Sequence, residues 1–423
     1  MSSLRVLIVG ASIAGPTAAY WFAKAGAHVT VIERFPTLRT NGQNVDIRTV
    51  GVTVMRKIAG MEEAVRARTL SVDGISLVGA TGRPYGTVKA TGNPEQQSLV
   101  SEYEILRGDL AQILFDLTKE TENIHYVFGE QVASMRQKGP RSGPIRVDFA
   151  HGFPAAEFDL VVACDGATSR TRAMGLACGV RDHIKPMNSW AAFFSTKHDL
   201  VDGSRMAQAY SAMGGRFVAI GPSLSGGNQV VLMGINPRHD DDDSMRLFRE
   251  AMKRGDEALK QFVARYYEGA GWKCEAAVKS MMEAQDFYAN ESVQVQTPTL
   301  YQGHFVLVGD AGYAPGPTGT GTSLAMAGAY VLAGEINKHK GDLMAGLRGY
   351  EDQMRPLIKE LQRIPPLVPT IFAPQTAWGI WLRNTIFAFV CWTRILELSQ
   401  RFFASSFADS GKYELPDYKW DPN

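Results

Sequence analysis

The chain has 423 residues, of which 45% are hydrophobic and 10% aromatic, so it can build a large core and has the length of two to three domains. Its 44 Lys and Arg residues balance 43 Asp and Glu residues, which excludes the basic surface of a nucleic-acid-binding protein. Four widely spaced cysteines without a C-x-x-C pair predict no metal site and indicate reduced thiols in a cytoplasmic protein.

The N-terminal residues predict a β-α-β unit. An apolar run over Leu4–Val9 is typical of a strand buried on both faces, Pro16–Lys24 predicts a helix, and Ala27–Glu33 predicts a second strand. The turn Gly10–Gly15 is nearly the glycine-rich nucleotide fingerprint, but Ser12 replaces its middle glycine. This unit has the length that the fingerprint requires, about thirty residues.

The residues of this turn suit a dinucleotide. Gly10 permits a tight turn and Gly15 lets the helix approach the strand, so helix amides face a pyrophosphate. Ser12 narrows the approach but can donate a hydrogen bond to a phosphate oxygen. Glu33 ends the second strand and can accept hydrogen bonds from a ribose, while its charge repels a 2′-phosphate. The unit therefore favours the adenosine of FAD or NAD over that of NADP.

Two later strands also end in acidic and glycine residues. Phe158–Ala163 leads into Asp165-Gly166, and Phe305–Val308 leads into Gly309-Asp310. Ligands of doubly wound sheets bind at the carboxyl ends of such parallel strands. We expect the three segments to converge on one ligand.

Short strand-like runs between these segments predict an inserted, mostly antiparallel sheet. Gly, Ser, Pro and Asn turns separate them. The runs are Trp190–Lys197, Met206–Ala212, Phe217–Gly221 and Val230–Asn236.

The ordered motifs resemble a known family. The fingerprint is followed by Glu104-Ile105-Leu106-Arg107-Gly108-Asp109-Leu110, by Asp165–Arg172 and by Gly309–Thr322. Over roughly residues 1 to 360 this order resembles the single-component FAD-dependent aromatic hydroxylases of the para-hydroxybenzoate hydroxylase type, and tetracycline-inactivating flavin monooxygenases look like a nearer branch.

The resemblance implies an α/β fold with a Rossmann-like FAD-binding domain of the glutathione-reductase type, an inserted antiparallel substrate domain and C-terminal helices. We expect the FAD-binding domain to comprise residues 1–80, 100–185 and 286–365. The substrate domain comprises 81–99 and 186–285, and 366–423 forms a C-terminal helical segment.

The resemblance also implies which residues contact FAD. Gly10, Ser12 and Gly15 line the pyrophosphate, Arg107 braces the middle of the cofactor, and Asp310 binds the ribityl chain or pyrophosphate. Glu33 and Arg34 hold the adenosine side, and the Asp165-Gly166 segment with Arg172 touches FAD and helps a nicotinamide to dock. The further expected contacts are Ile13, Ala14, Pro317, Gly319, Thr320 and Gly321.

The loop Pro317–Gly321 leads into an apolar helix and can present backbone N–H groups to an anion, such as the N1/C2=O edge of reduced flavin. Tyr313 stands where the family commonly has histidine.

Arg48 could reach the open face of the flavin or form a surface salt bridge, and it is our one candidate for a catalytic residue. Asp46 could bind the flavin or cap a helix starting at Thr49.

The function implied is a monooxygenase cycle. No second fingerprint exists for a nicotinamide cofactor, so NAD(P)H is expected to bind transiently, reduce FAD and lead to a C4a-hydroperoxyflavin that oxygenates an aromatic or polyketide-like molecule. Two alternatives stay open, an FAD-dependent reductase or dehydrogenase without oxygen insertion and a non-catalytic nucleotide-binding protein.

Substrate contacts are expected from the inserted sheet, with ordinary core packing as the alternative for each side chain. Met206, Gln208 and Tyr210 alternate onto one face. The other candidates are Trp190, Phe194, Arg205, Phe217 and Met233.

The apolar stretch from Thr376 to Ile395 contains Arg383, Asn384 and Arg394. Charged side chains near a bilayer centre cost about 2.5–3.5 kcal/mol each, so stable membrane insertion is not expected. The sequence does not predict the oligomeric state.

Overall fold

The computed structural model describes residues 4–39, 42–69, 72–90, 101–137, 143–223, 226–236, 243–340, 342–365, 368–393 and 414–420. Within these ranges the strands are β1 (Arg5–Val9), β2 (His28–Glu33), β3 (Asn44–Asp46), β4 (Gly74–Val78), β5 (Pro84–Lys89), β6 (Glu104–Leu106), β7 (Ile124–Phe128), β8 (Val132–Gln137), β9 (Ile145–Phe149), β10 (Ala156–Phe158), β11 (Leu160–Ala163), β12 (Ile184–Thr196), β13 (Met206–Ala212), β14 (Arg216–Pro222), β15 (Asn228–Ile235), β16 (Tyr288–Val295), β17 (Tyr301–Gln302) and β18 (Phe305–Leu307). The helices are α1 (Ala14–Lys24), α2 (Val50–Lys57), α3 (Met61–Arg66), α4 (Arg107–Asp116), α5 (Arg170–Gly175), α6 (Ser244–Arg254), α7 (Asp256–Tyr266), α8 (Cys274–Glu283), α9 (Asp310–Tyr313), α10 (Gly321–Lys338), α11 (Leu343–Leu361), α12 (Val368–Phe372) and α13 (Ala377–Trp392).

A six-stranded sheet contains the predicted β-α-β unit. Its order is β17-β18-β11-β1-β2-β7, and the five strands from β18 to β7 run parallel. Val6, Leu7 and Ile8 of the central strand are fully buried, as a strand covered on both faces requires. Because parallel strands end at one edge, the residues that follow β1, β2, β11 and β18 lie close together there, as predicted.

Helix α10 fills the centre of this layer. Residues from Thr322 to Ile336 are buried all round, because the helix packs between α1, α2 and α11. An apolar helix without a polar face is typical of such a position. Its first residue, Gly321, therefore lies at the sheet edge where the strands end.

A seven-stranded sheet forms the second layer, in the order β16-β12-β15-β14-β13-β4-β5. Its pairs are antiparallel except for β13 with β4, so the predicted mixed α/β class with an antiparallel sheet is confirmed. The sheet also includes β4 and β16, which the sequence prediction placed with the FAD-binding domain, because they pair with β13 and β12. Residues 91–99 of the predicted substrate segment lie outside the described residues.

Two smaller sheets complete the framework. Strands β10, β9 and β8 form an antiparallel sheet beside the end of β7, and β3 pairs with β6 in a two-stranded ribbon. The ribbon leads directly into α4, so it fixes the start of that helix at Arg107.

The C-terminal segment departs in part from its prediction. It contains α12 and α13, but residues 414–420 are not helical, and residues 394–413 lie outside the described part of the chain. The segment 414–420 packs on α1 and α10 instead. The Tyr418 hydroxyl donates to Glu335 at 2.8 Å, and Trp420 stacks on Trp21 with ring centroids 4.8 Å apart. Aromatic packing on these helices replaces local helical hydrogen bonds.

Helix α13 lies on the seven-stranded sheet with its polar residues inward. Arg383 donates to the Ser211 hydroxyl at 2.9 Å and to the Phe372 carbonyl at 3.0 Å. The outer surface of α13 exposes Trp378, Trp381, Ile386, Phe389 and Trp392. No helix formed by the described residues is long and apolar enough to cross a membrane.

Candidate cofactor site

The glycine-rich turn leaves no room for side chains at its two glycines. Gly10 has a φ of 107°, and a Cβ there would lie 2.6 Å from the carbonyl oxygen of Cys164. A Cβ at Gly15 would overlap the carbonyl oxygen of Gly10. Ile13 and Ala14 are buried at the start of α1, so they can offer a ligand only backbone groups. The turn brings main-chain N–H groups to the cavity surface, as a pyrophosphate needs.

Ser12 is joined to Arg107 in this turn. Its hydroxyl accepts a hydrogen bond from the Arg107 guanidinium at 3.1 Å, across 95 positions of sequence. Because α4 begins at Arg107, the ribbon and the turn together aim this cation at the fingerprint. The serine that departs from the fingerprint thus holds a positive charge beside the phosphate position.

Glu33 braces the turn from the end of β2. Its carboxylate accepts from the Ala11 N–H at 3.0 Å and from the Phe35 N–H at 3.1 Å. Arg34 lies over the Phe35 ring at 4.8 Å. Glu33 and Arg34 both line the cavity, at the position predicted for the adenosine side.

Arg39 is a cavity residue that sequence reasoning missed. It lies over the Phe35 ring at 4.7 Å, and burial together with the nearby Arg107 lowers the pKa of its guanidinium from the ordinary value. Because the Arg39 and Arg107 guanidinium groups repel each other, a bound anion between them would stabilise both charges. The signal was an arginine only six residues beyond Glu33, in a segment without a recognisable motif.

These residues line one cavity of about 760 Å³, within the range of small-molecule sites. It extends from the fingerprint along the ends of β2, β7 and β11. Its other lining residues include Glu130, Gln131, Val132, Ala133, Ala150, His151, Asp165, Gly166, Thr168, Arg170, Thr171 and Met174. Two of the three predicted segments therefore meet at one cavity.

Asp165 shapes the loop that forms part of this wall. Its carboxylate accepts from the Ser169 hydroxyl at 2.5 Å and from the Thr171 hydroxyl at 2.9 Å. Burial raises the pKa of this carboxyl, and the hydrogen bonds act against that rise. Gly166 has a φ of 87°, the left-handed region that favours glycine. The side chain orders the loop, and the loop backbone faces the cavity.

Arg172 does not touch the cavity, which corrects the expectation that it contacts FAD. It is fully buried, and its guanidinium donates to the carbonyl oxygens of Ala311 at 2.8 Å, Ala167 at 2.9 Å and Val180 at 2.7 Å. These carbonyls belong to the loop after β11, the Asp310 helix and the segment before β12. Arg172 fastens the second predicted segment to the third.

The third segment places Asp310 beside the start of α10. The Asp310 side chain is exposed, and its Oδ1 lies 3.7 Å from the Cβ position of Gly321. Burial of the surrounding region raises the pKa of the carboxyl, whereas Arg107 acts to lower it. Arg107 thus lies within electrostatic reach of both Ser12 and Asp310, and it connects the first segment to the third.

The loop before α10 has the backbone geometry of an anion cradle. Gly319 has a φ of 73°, and the Thr318 and Thr320 hydroxyls hydrogen-bond each other at 2.7 Å. No side chain caps the helix N-terminus at Thr320, so its first N–H groups stay available. Pro317 and Gly319 are exposed. These backbone groups could bind an anion, although the loop does not line the cavity described above.

Tyr313 is a core residue rather than part of the cavity wall. It is almost fully buried, and its hydroxyl hydrogen-bonds the Tyr350 hydroxyl at 3.1 Å. Tyr350 in turn donates to the Leu307 carbonyl at 2.8 Å. The departure from the family's histidine therefore alters the packing behind the site.

Glu130 anchors the wall formed by β8 and β9. Its carboxylate accepts from four backbone N–H groups, those of Gln131, Ala150, His151 and Phe153, at 2.8–3.0 Å. Burial alone would raise its pKa, but the four donors hold the pKa below the ordinary value. Sequence reasoning missed this residue because three of its four partners lie about twenty positions away.

Glu130→Gln is expected to lower the free energy of unfolding by about 1–3 kcal/mol at pH 7. The NH₂ group of the glutamine amide would face a backbone N–H donor that a carboxylate oxygen accepts in the wild type. A carboxyl group whose pKa is lower in the folded state than in the unfolded state stabilises the fold at pH values above its unfolded-state pKa of about 4.3. This stabilisation is lost as the pH falls through the folded-state pKa. Urea unfolding from pH 7 to pH 3 should therefore show the wild-type advantage shrinking. An advantage that persists unchanged at pH 3 would contradict this role.

Several predicted substrate residues lie on the face of the seven-stranded sheet that α6, α7 and α8 cover. Trp190, Phe194 and Tyr210 are buried beneath α6, α7 and α8, with Trp190 stacked on Phe248 at 5.4 Å and the Tyr210 hydroxyl donating to Ala270 at 2.9 Å. Gln208 is on the same face, since it lies two residues from Tyr210. Trp190, Phe194 and Tyr210 pack against the helix layer, so the alternative of ordinary core packing holds for these three.

Arg205 is a surface residue. It lies before β13 and pairs with Asp73 at 3.3 Å, with more than half of each side chain exposed. Such a pair contributes little stability.

Phe217 and Met233 lie on the opposite face of the sheet. They are cross-strand neighbours, and Phe217 packs against Phe372 of α12 with centroids 4.4 Å apart. The same face continues toward β16 through half-buried side chains, of which the sequence predicted only Met233. We call these residues the open face: Phe193, Ala219, Val231, Met233 and Tyr288.

Arg48 and Asp46 pair with each other on the β3–β6 ribbon. The Arg48 Nη2 lies 2.8 Å from the Asp46 Oδ2, and both side chains are about four-fifths buried. The alternative of a salt bridge is therefore right about the ion pair. It is wrong about the surface position, because the pair is largely buried. Asp46 does not cap α2: the helix starts at Val50 after Thr49, and no side chain caps it.

The fold and site define an α/β protein that binds a dinucleotide across the ends of its parallel strands and carries a second sheet beside that site. A family model described as "FAD binding domain" matches residues 3–362, and the chain belongs to this family. Its FAD cofactor is thereby confirmed.

Curated relatives give the class of reaction. The chain is 30% identical to FAD-dependent monooxygenase asL4 of Sarocladium schorii, over 99% of both chains. It is 32% identical to Monooxygenase CTB7 of Cercospora beticola, over 99% of this chain and 98% of that protein. The crystal structure of tetracycline destructase Tet(55) matches with a TM-score of 0.74 and 26% identity, covering 99% of each chain. The protein is an FAD-dependent monooxygenase, which confirms that prediction over the reductase and non-catalytic alternatives.

Proposed function

We propose that this monooxygenase uses NAD(P)H and O₂ to insert one oxygen atom into an aromatic or polyketide-like small molecule bound against the open face of the seven-stranded sheet. The observation that carries the proposal is that face: it is apolar, half-buried and free of the helices that cover the reverse side. The name of one similar protein, tetracycline destructase Tet(55), supports a polyketide-like substrate, and the name of FAD-dependent monooxygenase asL4 supports the reaction class.

The six-stranded sheet and its helices act as the FAD-binding domain in this proposal, and the seven-stranded sheet acts as the substrate domain. FAD, when bound, accepts hydride and activates O₂, and the protein supplies orientation and excludes water. The glycine turn and Arg107 hold the pyrophosphate. The part of the cavity wall that Glu33 and Glu130 line holds the adenosine side. Asp310 and the N-terminus of α10 hold the middle and the ring end of the cofactor.

The protein's own groups would orient the substrate by contact rather than by covalent chemistry. Phe193 and Tyr288 have rings 6.5 Å apart on neighbouring strands, and Met233 lies beside them. Apolar and aromatic walls with few polar groups bind flat molecules and leave their orientation to a small number of hydrogen bonds. Electron-rich rings fit this surface.

Phe193 and Phe194 offer a matched test, because they are adjacent in β12 but lie on opposite faces. Phe193→Ala is expected to raise KM about tenfold or more and to increase NAD(P)H oxidation without product, because it removes a substrate contact. Phe194→Ala is expected instead to lower the free energy of unfolding by about 3–5 kcal/mol.

The measurement combines NAD(P)H oxidation, product mass and urea unfolding for both variants, with phenols, aromatic polyketides and tetracyclines as substrates. If Phe193→Ala leaves KM and coupling unchanged for every substrate that the wild type oxygenates, the open face is not the substrate surface. If the wild type yields only hydrogen peroxide with all of them, the proposed substrate class is wrong.

A further inference from the structure

Helices α1, α2 and α10 begin side by side. A Cβ at Gly309 would lie 3.1 Å from the Ala14 Cβ of α1 and 3.3 Å from the Ala325 Cβ of α10. A Cβ at Gly51 of α2 would lie 2.7 Å from the Ser323 hydroxyl oxygen of α10. The first turns of all three helices are therefore packed together, beside the glycine-rich turn and the start of α10.

The same helices meet again further along. Trp21 of α1 packs edge to face on Tyr330 of α10 with ring centroids 4.9 Å apart. The Lys57 Nζ, at the end of α2, lies 5.8 Å from the centroid of the Tyr330 ring. Because these contacts follow the first ones in the same order along each helix, the three helices run parallel.

The segment 414–420, which we call the strap, lies across the far halves of these helices. Asp417 of the strap pairs with Lys57 of α2 at 2.7 Å. Trp420 stacks on Trp21 of α1 with ring centroids 4.8 Å apart. The strap therefore joins α1 to α2 at the end opposite to the glycine-rich turn.

The strap is also inserted into α10. Tyr418 is only 8% exposed, and its hydroxyl donates to the buried Glu335 at 2.8 Å. A Cβ at Gly334 would overlap the Tyr418 ring, so this glycine makes room for it, although glycine weakens a helix interior relative to alanine. The Tyr330 hydroxyl donates to the Pro416 carbonyl at 2.9 Å. The strap thus occupies a fitted groove on α10.

The strap and the cofactor site act on opposite ends of the same helices. A close-packed layer does not deform continuously, so the spacing of three parallel helices at one end affects their spacing at the other. In the proposed cofactor position, the start of α1 faces the pyrophosphate and the start of α10 holds the ring end of FAD. The bound strap fixes the distances between these helices.

We propose that the strap is a conformational device coupled to the cofactor: docking of the strap holds α1, α2 and α10 in the arrangement that binds FAD, and bound FAD holds the strap in its groove. Such coupling is reciprocal, so the factor by which the strap raises FAD affinity equals the factor by which FAD raises the docking equilibrium of the strap. This coupling rests on the proposed cofactor position and not on the oxygenation reaction.

The first test measures release of the strap by trypsin cleavage after Lys419. The Lys419 side chain is exposed, but its carbonyl accepts from the Asn337 amide at 2.9 Å, so cleavage requires release of the strap. Mass spectrometry compares the rate in FAD-free and FAD-loaded protein, and saturating FAD should slow it about fivefold or more. Cleavage after the exposed Arg254, between α6 and α7, should keep its rate.

The second test measures FAD affinity after the groove is filled. Gly334→Ala changes neither the strap nor the cofactor site, and its Cβ takes the place of the Tyr418 ring. By fluorescence titration its FAD dissociation constant should rise by the same factor by which FAD slows the cleavage of wild type. Tyr418→Ala should act alike, and adding Gly334→Ala to it should change little further. The exposed Lys419→Ala should bind FAD as wild type does.

Equal rates of cleavage after Lys419 with and without FAD would overturn the coupling. So would a Gly334→Ala protein that is cleaved faster but binds FAD as tightly as wild type, and unchanged cleavage in Gly334→Ala would mean that the strap does not dock through Tyr418. If Gly334→Ala does not fold, the FAD affinity of Trp420→Ala, which leaves α10 unchanged, decides in its place. Neither measurement uses product formation, so a failure of the proposed function is distinguished from a failure of the coupling.

Discussion

Asp310→Ala is expected to weaken FAD binding about 10- to 100-fold, because a carboxylate that accepts charge-assisted hydrogen bonds contributes about 1.5–3 kcal/mol. The side chain is exposed beside the N-terminus of α10 and within reach of Arg107. In the proposed cofactor position, its removal takes away an acceptor for the middle of FAD. Fluorescence titration of the apoprotein with FAD measures the change.

Two variants serve as controls for Asp310→Ala. Asp310→Asn keeps the shape and one acceptor, so it should lose less affinity. Ser12→Gly restores the usual fingerprint glycine and removes only the 3.1 Å bond to Arg107, so it should leave FAD binding within a fewfold of wild type. Equal losses in Asp310→Ala and Ser12→Gly would mean that Asp310 has no special role.

Arg172→Met is expected to lower the free energy of unfolding by about 3–5 kcal/mol, because each buried acceptor left without its donor costs about 1–3 kcal/mol. The substitution leaves the carbonyls of Ala311, Ala167 and Val180 without their donor. Since these carbonyls belong to different segments, FAD affinity should also fall. Urea unfolding with and without FAD measures both effects.

Arg170→Met is the matched control, because Arg170 begins the same short helix but is exposed. Its effect on the free energy of unfolding should stay within about 0.5 kcal/mol. If both arginine variants are equally stable, the buried guanidinium does not join the two segments.

The cofactor site could largely be predicted from the sequence because its signals are local. The β-α-β unit combines a continuous apolar strand with glycines at positions where a Cβ would overlap backbone. The Asp165-Gly166 and Gly309-Asp310 pairs each follow a buried strand, and parallel pairing brings their ends together. Here periodicity and turn chemistry determine the geometry.

The proposed substrate face could not be predicted because both faces of the seven-stranded sheet are apolar. In β12, Phe193 and Phe194 are alike in sequence, and only helices α6 to α8, some fifty or more positions later, decide which of them is covered. Trp190 was singled out as a large aromatic, but its size suits it to the core against Phe248. Burial by distant elements leaves no pattern in the strand itself.

Charged residues were missed or misplaced for a related reason. Glu130 binds backbone N–H groups that are mostly supplied by a later segment, Arg39 lies near Arg107 of a distant helix, and neither residue belongs to a motif. Arg172 lies close to the Asp165-Gly166 motif and was assigned to the cofactor, yet its terminal Nη groups donate to three backbone carbonyls. Closeness in sequence to a motif did not indicate closeness to the ligand.

The most direct test of the account is to supply FAD-loaded protein with NAD(P)H, isotopically labelled O₂ and a panel of phenols, aromatic polyketides and tetracyclines. We expect at least one substrate to gain a single labelled oxygen atom, with the other atom leaving as water and NAD(P)H consumed in step with product. NAD(P)H oxidation that gives only labelled hydrogen peroxide with every member of the panel, or product whose added oxygen comes from water, would contradict it.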